Sequence, residues 1–452
     1  MRPPFAKLLV ANRGEIALRI LRTARDLGIR TVAVYSQPDE SSLHVRFADE
    51  AICIGPASPA RSYLNIPAIL TAAKLTGAEA VHPGYGFLAE DADFARAVRA
   101  MGMVFVGPAP EHLELFGDKL SAKRAARDAG IPLLAGSEGA VRGVAEAQQI
   151  AEEAGYPVLV KATAGGGGKG MRRVDSAEEL ARVFELTSAE ALASFGRGDV
   201  FIERFLEAPR HIEVQVLGDG IDAIHLGTRE CTLQRRHQKI IEEAPAPRLS
   251  AALRQGLQDA AVHLARSVGY RSLGTMEFLV QGDGFWFLEV NPRIQVEHPV
   301  TEEITGLDLV DEQLRIAAGG RLSLTQDQVV QRGHAIEVRV NAEHPWTFRA
   351  SPGVITGYHE PGGPGIRVDS AVHEHASVLP WYDSLVAKVI AHGRSREQAR
   401  MRMLRALEEV VVEGIDTSVP LQLELLRSEA FRLARVDTRT VDRWVSARAS
   451  NG

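Results

Sequence analysis

Apolar and polar positions along this chain change their period repeatedly, and the changes mark out its elements. Leu8 to Ala11 is a short apolar run. It is followed by Ile16, Leu18, Ile20, Leu21 and Leu27 at helical spacing up to Gly28, and then by the β-branched run Thr31 to Tyr35. That order predicts a strand, a crossover helix and a second parallel strand. Further apolar segments and loops, including His82-Pro83-Gly84-Tyr85-Gly86-Phe87 and Val104 to Pro108, extend the pattern. Residues 1–116 are therefore expected to form a parallel α/β domain whose loops face a crevice. The first turn carries only Gly14 and lacks the glycine spacing of a dinucleotide fingerprint.

A second region is expected over 117–331. Lys119 opens it, ahead of a helical stretch from Leu120 to Ala129. After a helix ending at Gly155, Pro157 to Lys161 reads as a strand that runs straight into Gly165-Gly166-Gly167-Gly168-Lys169-Gly170, and Met171 to Val174 reads as its return. Consecutive glycines let backbone N–H groups close on phosphate oxygens, with Lys161 and Lys169 as cations. Gly170 stands where a Walker A loop needs Ser or Thr, so the glycines are expected to form a mobile hairpin flap over a nucleotide. Val200 to Leu206 is a strand entering a loop, suited to presenting backbone groups to an adenine edge. His211 to Val216 alternates strictly, with His211, Glu213 and Gln215 on one face. The cationic stretch Thr228 to Lys239 precedes Pro245 and Pro247 and suggests a structured anion-binding loop. From residue 332 to 446 the pattern predicts a third, α+β domain: His334 to Asn341 alternates, and the stretch from Arg396 to Val410 is helical.

Length and composition narrow the class. At 452 residues the chain is too long for one core and should divide into about two to four domains. A net charge of -6 argues against nucleic acid as the partner, and no apolar run is long enough for a membrane span. Cys53 and Cys231, far apart, fit a reducing cytoplasm. The strand at Lys7 leaves no room for a targeting peptide before it, which gives the same expectation.

The candidate chemistry concentrates at Phe285 to His298. An apolar, aromatic strand ends in Glu289, Asn291, Arg293 and Glu297. Glu289 and Asn291, two residues apart, project from one face, and Thr275 to Val280, joined through the hairpin signal Gly282-Asp283-Gly284, offers Glu277 as a third ligand. Two carboxylates and an amide suit Mg²⁺ or Mn²⁺ better than zinc. Arg293 and Glu297 then stand where an anion can be held and a proton removed. Arg339, on the polar face of its strand, would stabilise an anion if that face turns toward the metal site.

These stretches together resemble the ATP-grasp enzymes, and most closely the biotin carboxylase family, over about residues 6 to 445. The resemblance rests on Ala11-Asn12-Arg13-Gly14-Glu15-Ile16-Ala17, His82 to Leu88, the glycine flap, Gln234 to Lys239, and Asn291 to Glu302. It implies an α/β and α+β multidomain fold: a Rossmann-like N-terminal domain (1–116), an ATP-grasp domain (117–331) with a glycine-rich lid at about 134–204, and a C-terminal biotin carboxylase domain (332–446). It implies ATP held by Lys119, Lys161, Gly167, Gly168, Glu203, Arg204, Phe205, Leu206, His211, Gln234 and His237, and the metal held by Glu277, Glu289 and Asn291. Bicarbonate is implied against Lys239, Arg293 and Val296, with Glu297 as its base and Arg339 stabilising the biotin enolate. Ala164 and the triplet Thr228-Arg229-Glu230 depart from the family's commoner residues without touching an implied ligand. The sequence contains no Met-Lys-Met attachment site, so biotin is expected to arrive on a carrier protein. The implied activity is that of the biotin carboxylase subunit of an acyl-CoA carboxylase. By the same resemblance it works with a separate carboxyltransferase and forms a homodimer, as is common in the family. Alternatives are the ATP-binding subunit of pyruvate carboxylase, another ATP-grasp carboxylate–amine ligase, or a silent nucleotide-binding protein.

Overall fold

The computed structural model describes residues 4–163, 170–236 and 238–449. Its strands in chain order begin with β1 (Lys7–Val10), β2 (Arg30–Ser36), β3 (Glu50–Gly55), β4 (Ala80–His82) and β5 (Val104–Phe105). These five form a parallel sheet in the order β3-β2-β1-β4-β5. Leu8 and Val10 pack on one side with Ile16, Ile20 and Leu21 of the helix Gly14–Asp26. Leu9 packs on the other with Ile69, Ala73 and Phe94. Burial on both faces is why β1 reads as unbroken apolar sequence. The strand order reverses between β1 and β4, so the loops that leave them, after residues 10 and 82, open a crevice between them.

A second unit is built from β6 (Val158–Ala162), β7 (Met171–Val174) and β8 (Val200–Arg204), an antiparallel sheet in the order β7-β6-β8. Val158, Val160, Val174, Val200 and Ile202 share a small core with Ala147, Ala151 and Leu180. Lys161 pairs in register with Met171, as the expected hairpin requires. Gly167, Gly168 and Lys169, and also His237, lie outside the described residues.

The largest sheet has eight antiparallel strands. It draws on β9 (Arg210–Asp219), β10 (Ala223–Arg235), β11 (Gln238–Ala244), β12 (Arg271–Gln281), β13 (Gly284–Asn291) and β14 (His334–Asn341). After the short strands β15 (Gly353–Val354) and β16 (Gly357–His359) come β17 (Ile366–Ser370), β18 (Ser377–Val378), β19 (Leu385–Gly393) and β20 (Val411–Glu413). The order is β13-β12-β9-β10-β11-β14-β19-β17. Because β11 pairs with β14, backbone hydrogen bonding continues across residue 331. Ile294, Leu217 and Leu273 join the core that contains Leu8 and Ile16, so the first sheet docks on the large one beside the loop after β13. Among the described residues no helix is long and apolar enough to cross a membrane.

Candidate active site

Cross-strand register assembles the site. Arg229 on β10 faces Glu213 on β9, Glu213 faces Glu277 on β12, and Glu277 faces Glu289 on β13. One row of the sheet therefore carries a guanidinium followed by three carboxylates. One step along, Gln215, Thr275 and Asn291 form a parallel polar row. The alternation of His211, Glu213 and Gln215 holds in the structure, and all three are buried.

Carboxylates this close repel, and cations hold them in place. Lys239 Nζ contacts Glu213 and donates to Glu277 Oε1 at 2.9 Å and to Glu297 Oε1 at 2.7 Å. His211 Nε2 lies 2.9 Å from Glu277 Oε2. Burial alone would lower the His211 pKa, but Glu277 raises it above the usual value. Burial pushes Glu277 and Glu297 upward, yet both lie well below the ordinary carboxylate range because Lys239 opposes it, joined by His211 at Glu277 and by Arg339 and Arg229 at Glu297. Arg339 NH2 donates to Glu297 Oε2 at 2.9 Å while its Nε donates to Glu242 Oε1 at 2.6 Å. The polar face of β14 does turn toward this cluster.

Glu277 and Glu289, opposed across β12 and β13, form the nearest approach to a cation seat on the hairpin. Glu277 Oε1 accepts from Asn291 Nδ2 at 2.8 Å and from Gln295 Nε2 at 3.0 Å. Among the described residues the Glu289 carboxylate accepts no hydrogen bond. Its pKa is raised, first by burial and then by the like charge of Glu277. Two carboxylates and an amide oxygen are hard donors that fit Mg²⁺ or Mn²⁺. Ligand atoms of His211, Glu213 and Glu277 also lie within 4.8 Å of one another, but Lys239 and Arg229 already neutralise that group.

Several of the other expected residues are linked to this centre by contact or charge. Arg293 contacts Glu90 and donates through NH2 to Asn291 Oδ1 at 2.9 Å. Lys119 begins the helix Lys119–Asp128, and Glu289 acts electrostatically on both Lys119 and Lys161. Lys161 Nζ is 2.5 Å from Glu203 Oε2, and Lys123 closes on the other oxygen of Glu203. Glu203 thus offers its carboxylate to two lysines. The N–H groups of Arg204 and Phe205 are spent on the carbonyls of Ala135 and Pro157, 2.7 and 2.9 Å away. Leu206 follows them, half-buried. Gln234 is buried and pairs in register with Lys239. The Val296 carbonyl accepts from Lys388 Nζ at 3.0 Å.

Sequence reasoning passed over several participants. Arg229, fully buried, donates to Glu213, Gln215, Thr275, Gln295 and Thr301, and so anchors both the acidic row and the loop beside Glu297. Its place beside Glu230 within a strand that also carries Thr228, Thr232 and Gln234 was the available signal. Lys123 and Glu242 gave none, because their partners lie 80 and 97 residues away.

Three stretches of the chain match known protein families. Residues 4–113 match the family described as biotin carboxylase, N-terminal domain, and residues 118–325 match the carbamoyl-phosphate synthase L chain, ATP binding domain. Residues 337–443 match the biotin carboxylase C-terminal domain. The biotin carboxylase of Pseudomonas aeruginosa is 54% identical over 427 residues, covering 94% of this chain and 95% of that protein. The chain belongs to the biotin carboxylase family. Its fold is that family's multidomain α/β arrangement, with a parallel-sheet N-terminal domain, an ATP-grasp domain and a C-terminal domain, and its relatives are ATP-dependent ligases. The biotin carboxylase of Campylobacter jejuni, solved as a β-γ-ATP complex, superposes with a TM-score of 0.95 at 42% identity, covering 97% of this chain and 99% of that one. The biotin carboxylase domain dimer of Hydrogenobacter thermophilus 2-oxoglutarate carboxylase, solved with MgADP, ADP and bicarbonate, gives 0.93 at 47% identity, covering 97% of each chain. A pyruvate carboxylase subunit of Methanothermobacter thermautotrophicus is 49% identical over 442 residues, covering 97% of this chain and 90% of that protein.

Proposed function

We propose that this chain is the biotin carboxylase subunit of an acyl-CoA carboxylase of the acetyl-CoA type. It uses ATP and bicarbonate to carboxylate biotin borne on a biotin carboxyl carrier protein, and a carboxyltransferase subunit passes the carboxyl group on. The observation that carries this reading is Glu297 held between Lys239 at 2.7 Å and Arg339 at 2.9 Å, with Lys239 shared by Glu277 of the cation seat. A base kept ionised by two cations can take a proton from an anion that the same cations attract.

In this reading Glu277, Glu289 and Asn291 hold Mg²⁺ or Mn²⁺, which when bound neutralises charge on the triphosphate. Lys119 and Lys161 face the phosphates, and the flap with Gly167 and Gly168 excludes water. Glu203 to Leu206, His211, Gln234 and His237 hold the rest of the nucleotide. Lys239, Arg293 and Val296 seat bicarbonate, and Glu297 removes its proton. The bicarbonate oxygen attacks the γ-phosphorus and ADP leaves, giving carboxyphosphate. Carboxyphosphate then separates into CO₂ and phosphate, and the phosphate takes the N–H proton of biotin. Arg339 stabilises the resulting enolate as its nitrogen captures CO₂. Arg339 can make that exchange because Glu297 and Glu242 already share it at the edge of the cluster.

The proposed setting is cytoplasmic, and the proposed assembly is a homodimer, an arrangement supported by the Hydrogenobacter thermophilus domain dimer. A second reading, the ATP-binding subunit of pyruvate carboxylase, is favoured by the Methanothermobacter thermautotrophicus relative. Transfer assays with acetyl-CoA or pyruvate, each with its matching carboxyltransferase, separate the two. ADP release that requires an amine in place of bicarbonate would instead mark a carboxylate–amine ligase.

A further inference from the structure

Two motifs that carry the family resemblance, residues 11–17 and 82–88, take no part in the steps above, and in the structure they meet. Asn12 Nδ2 donates to the carbonyls of Pro83 and Tyr85, 2.7 Å each. Gly84, at φ +65, leaves room for that amide, since a Cβ there would sit 2.9 Å from Nδ2. The Tyr85 hydroxyl donates to Glu15, whose other oxygen is 3.1 Å from Nζ of Lys388 on β19. Lys388 is wholly buried, in register with Arg339 on one side and Asp369 on the other. Asp369 Oδ2 is 3.7 Å from its ammonium. Its hydrogen bond to the Val296 carbonyl, at 3.0 Å, reaches the peptide unit whose nitrogen belongs to Glu297.

A buried ammonium is tolerated only when it is paired, and Glu15 and Asp369 pair this one. Thus secured, it fixes the plane of the Val296–Glu297 peptide by a charge-assisted hydrogen bond. The Glu297 carboxylate hangs from the far end of that plane, where a displacement of about 1 Å is enough to cost about 100-fold in rate. We propose that Lys388 is a positioning residue for the base Glu297, supported by Glu15 and Tyr85, so that the loop is aligned only while the first sheet is docked against β19. The inference rests on Glu297 being the base for bicarbonate. It gives the 11–17 and 82–88 motifs a task in catalysis at a distance.

The test uses the full chain and compares wild type with Lys388→Met and Glu15→Gln, measuring ADP release with and without bicarbonate. Wild-type release that bicarbonate does not stimulate would sink the reading of the site itself, independently of Lys388. With stimulation present, Lys388→Met is expected to lower the bicarbonate-dependent kcat about 30-fold to 100-fold while the KM for ATP stays within about twofold, and Glu15→Gln about fivefold to tenfold with the same split. Bicarbonate-independent ATP cleavage should change far less, which a general loss of structure would not produce. Should Lys388→Met fail to fold, Glu15→Gln and the double variant Glu15→Gln/Lys388→Met, which removes both charges, decide the matter. Folded variants with near-wild-type kcat, or with equal losses in both ATP cleavage assays, overturn the proposal.

Discussion

Replacing Lys239 by methionine should convert a base that is ionised at every working pH into one that titrates. In the structure burial pushes the Glu297 carboxyl upward, and Lys239 is the largest of the charges that hold it down, ahead of Arg339 and Arg229. At 2.7 Å and an effective dielectric constant of about 20, the Lys239–Glu297 attraction is about 6 kcal/mol, equivalent to a pKa change of about four. Arg339 stays at 2.9 Å and water enters the space left by the ammonium, so about half to all of that change is expected. The Glu297 pKa then rises from far below the carboxylate range into or above it. A base works only when deprotonated, so activity is lost as pH falls through the raised pKa, and a new acid limb appears at the low-pH side of the profile. Residual bicarbonate-dependent ADP release, followed from pH 5 to 9, reads this directly on top of an overall loss of about 100-fold to 1,000-fold. If the residual rate of Lys239→Met keeps the wild-type pH profile, Glu297 is not the base that Lys239 holds ionised.

Three other outcomes follow from the same geometry. Glu289→Gln breaks the opposed carboxylate pair and should nearly abolish turnover, with the Mg²⁺ concentration for half-activity raised about tenfold or more in a metal titration. Arg339→Ala should depress biotin carboxylation more than basal ATP cleavage, and equal losses in the two assays would remove its role at the enolate. Glu337 is wholly buried, has no hydrogen-bond partner for either oxygen among the described residues and faces Glu242 in register, and its pKa is raised well above the usual value, first by burial and, against the pull of Lys388, by Glu242. An acid whose folded pKa lies above its unfolded one contributes stability at low pH that is lost as pH rises, so Glu337→Gln should stabilise the fold at high pH relative to wild type and flatten the fall of thermal melting temperature with rising pH.

The hairpin β12–β13 was legible because its residues advertise both halves of the motif: each strand is a largely apolar, aromatic-containing run that carries one acid, Glu277 or Glu289, and Gly282 takes the positive φ of the turn. For the same reason Glu289 and Asn291 could be placed on one face, as could His211, Glu213 and Gln215. What periodicity cannot supply is register between strands far apart in sequence. Glu213 and Glu277 are 64 positions apart, yet their pairing decides which carboxylates share Lys239. Arg229 illustrates the same limit: alternation places it on a face, but only the neighbouring strands reveal that five acceptors await it there. Contacts between units are less visible still. Lys388 lies in a run of small and aliphatic residues, and nothing near it in sequence announces Glu15 as its partner. The α+β region after residue 332 likewise looks separate in sequence, although β14 adds directly to β11.

The central claim is that the row of carboxylates on β9, β12 and β13 and the cations at Glu297 form one site for bicarbonate-dependent ATP cleavage that serves biotin. It is tested most directly by measuring ADP release from the purified chain in Mg²⁺ and ATP, with and without bicarbonate, and then with free biotin added. ADP release that depends on both Mg²⁺ and bicarbonate and rises with biotin is the expected result, while release indifferent to bicarbonate, or none at all from a folded protein that binds ATP, would contradict it.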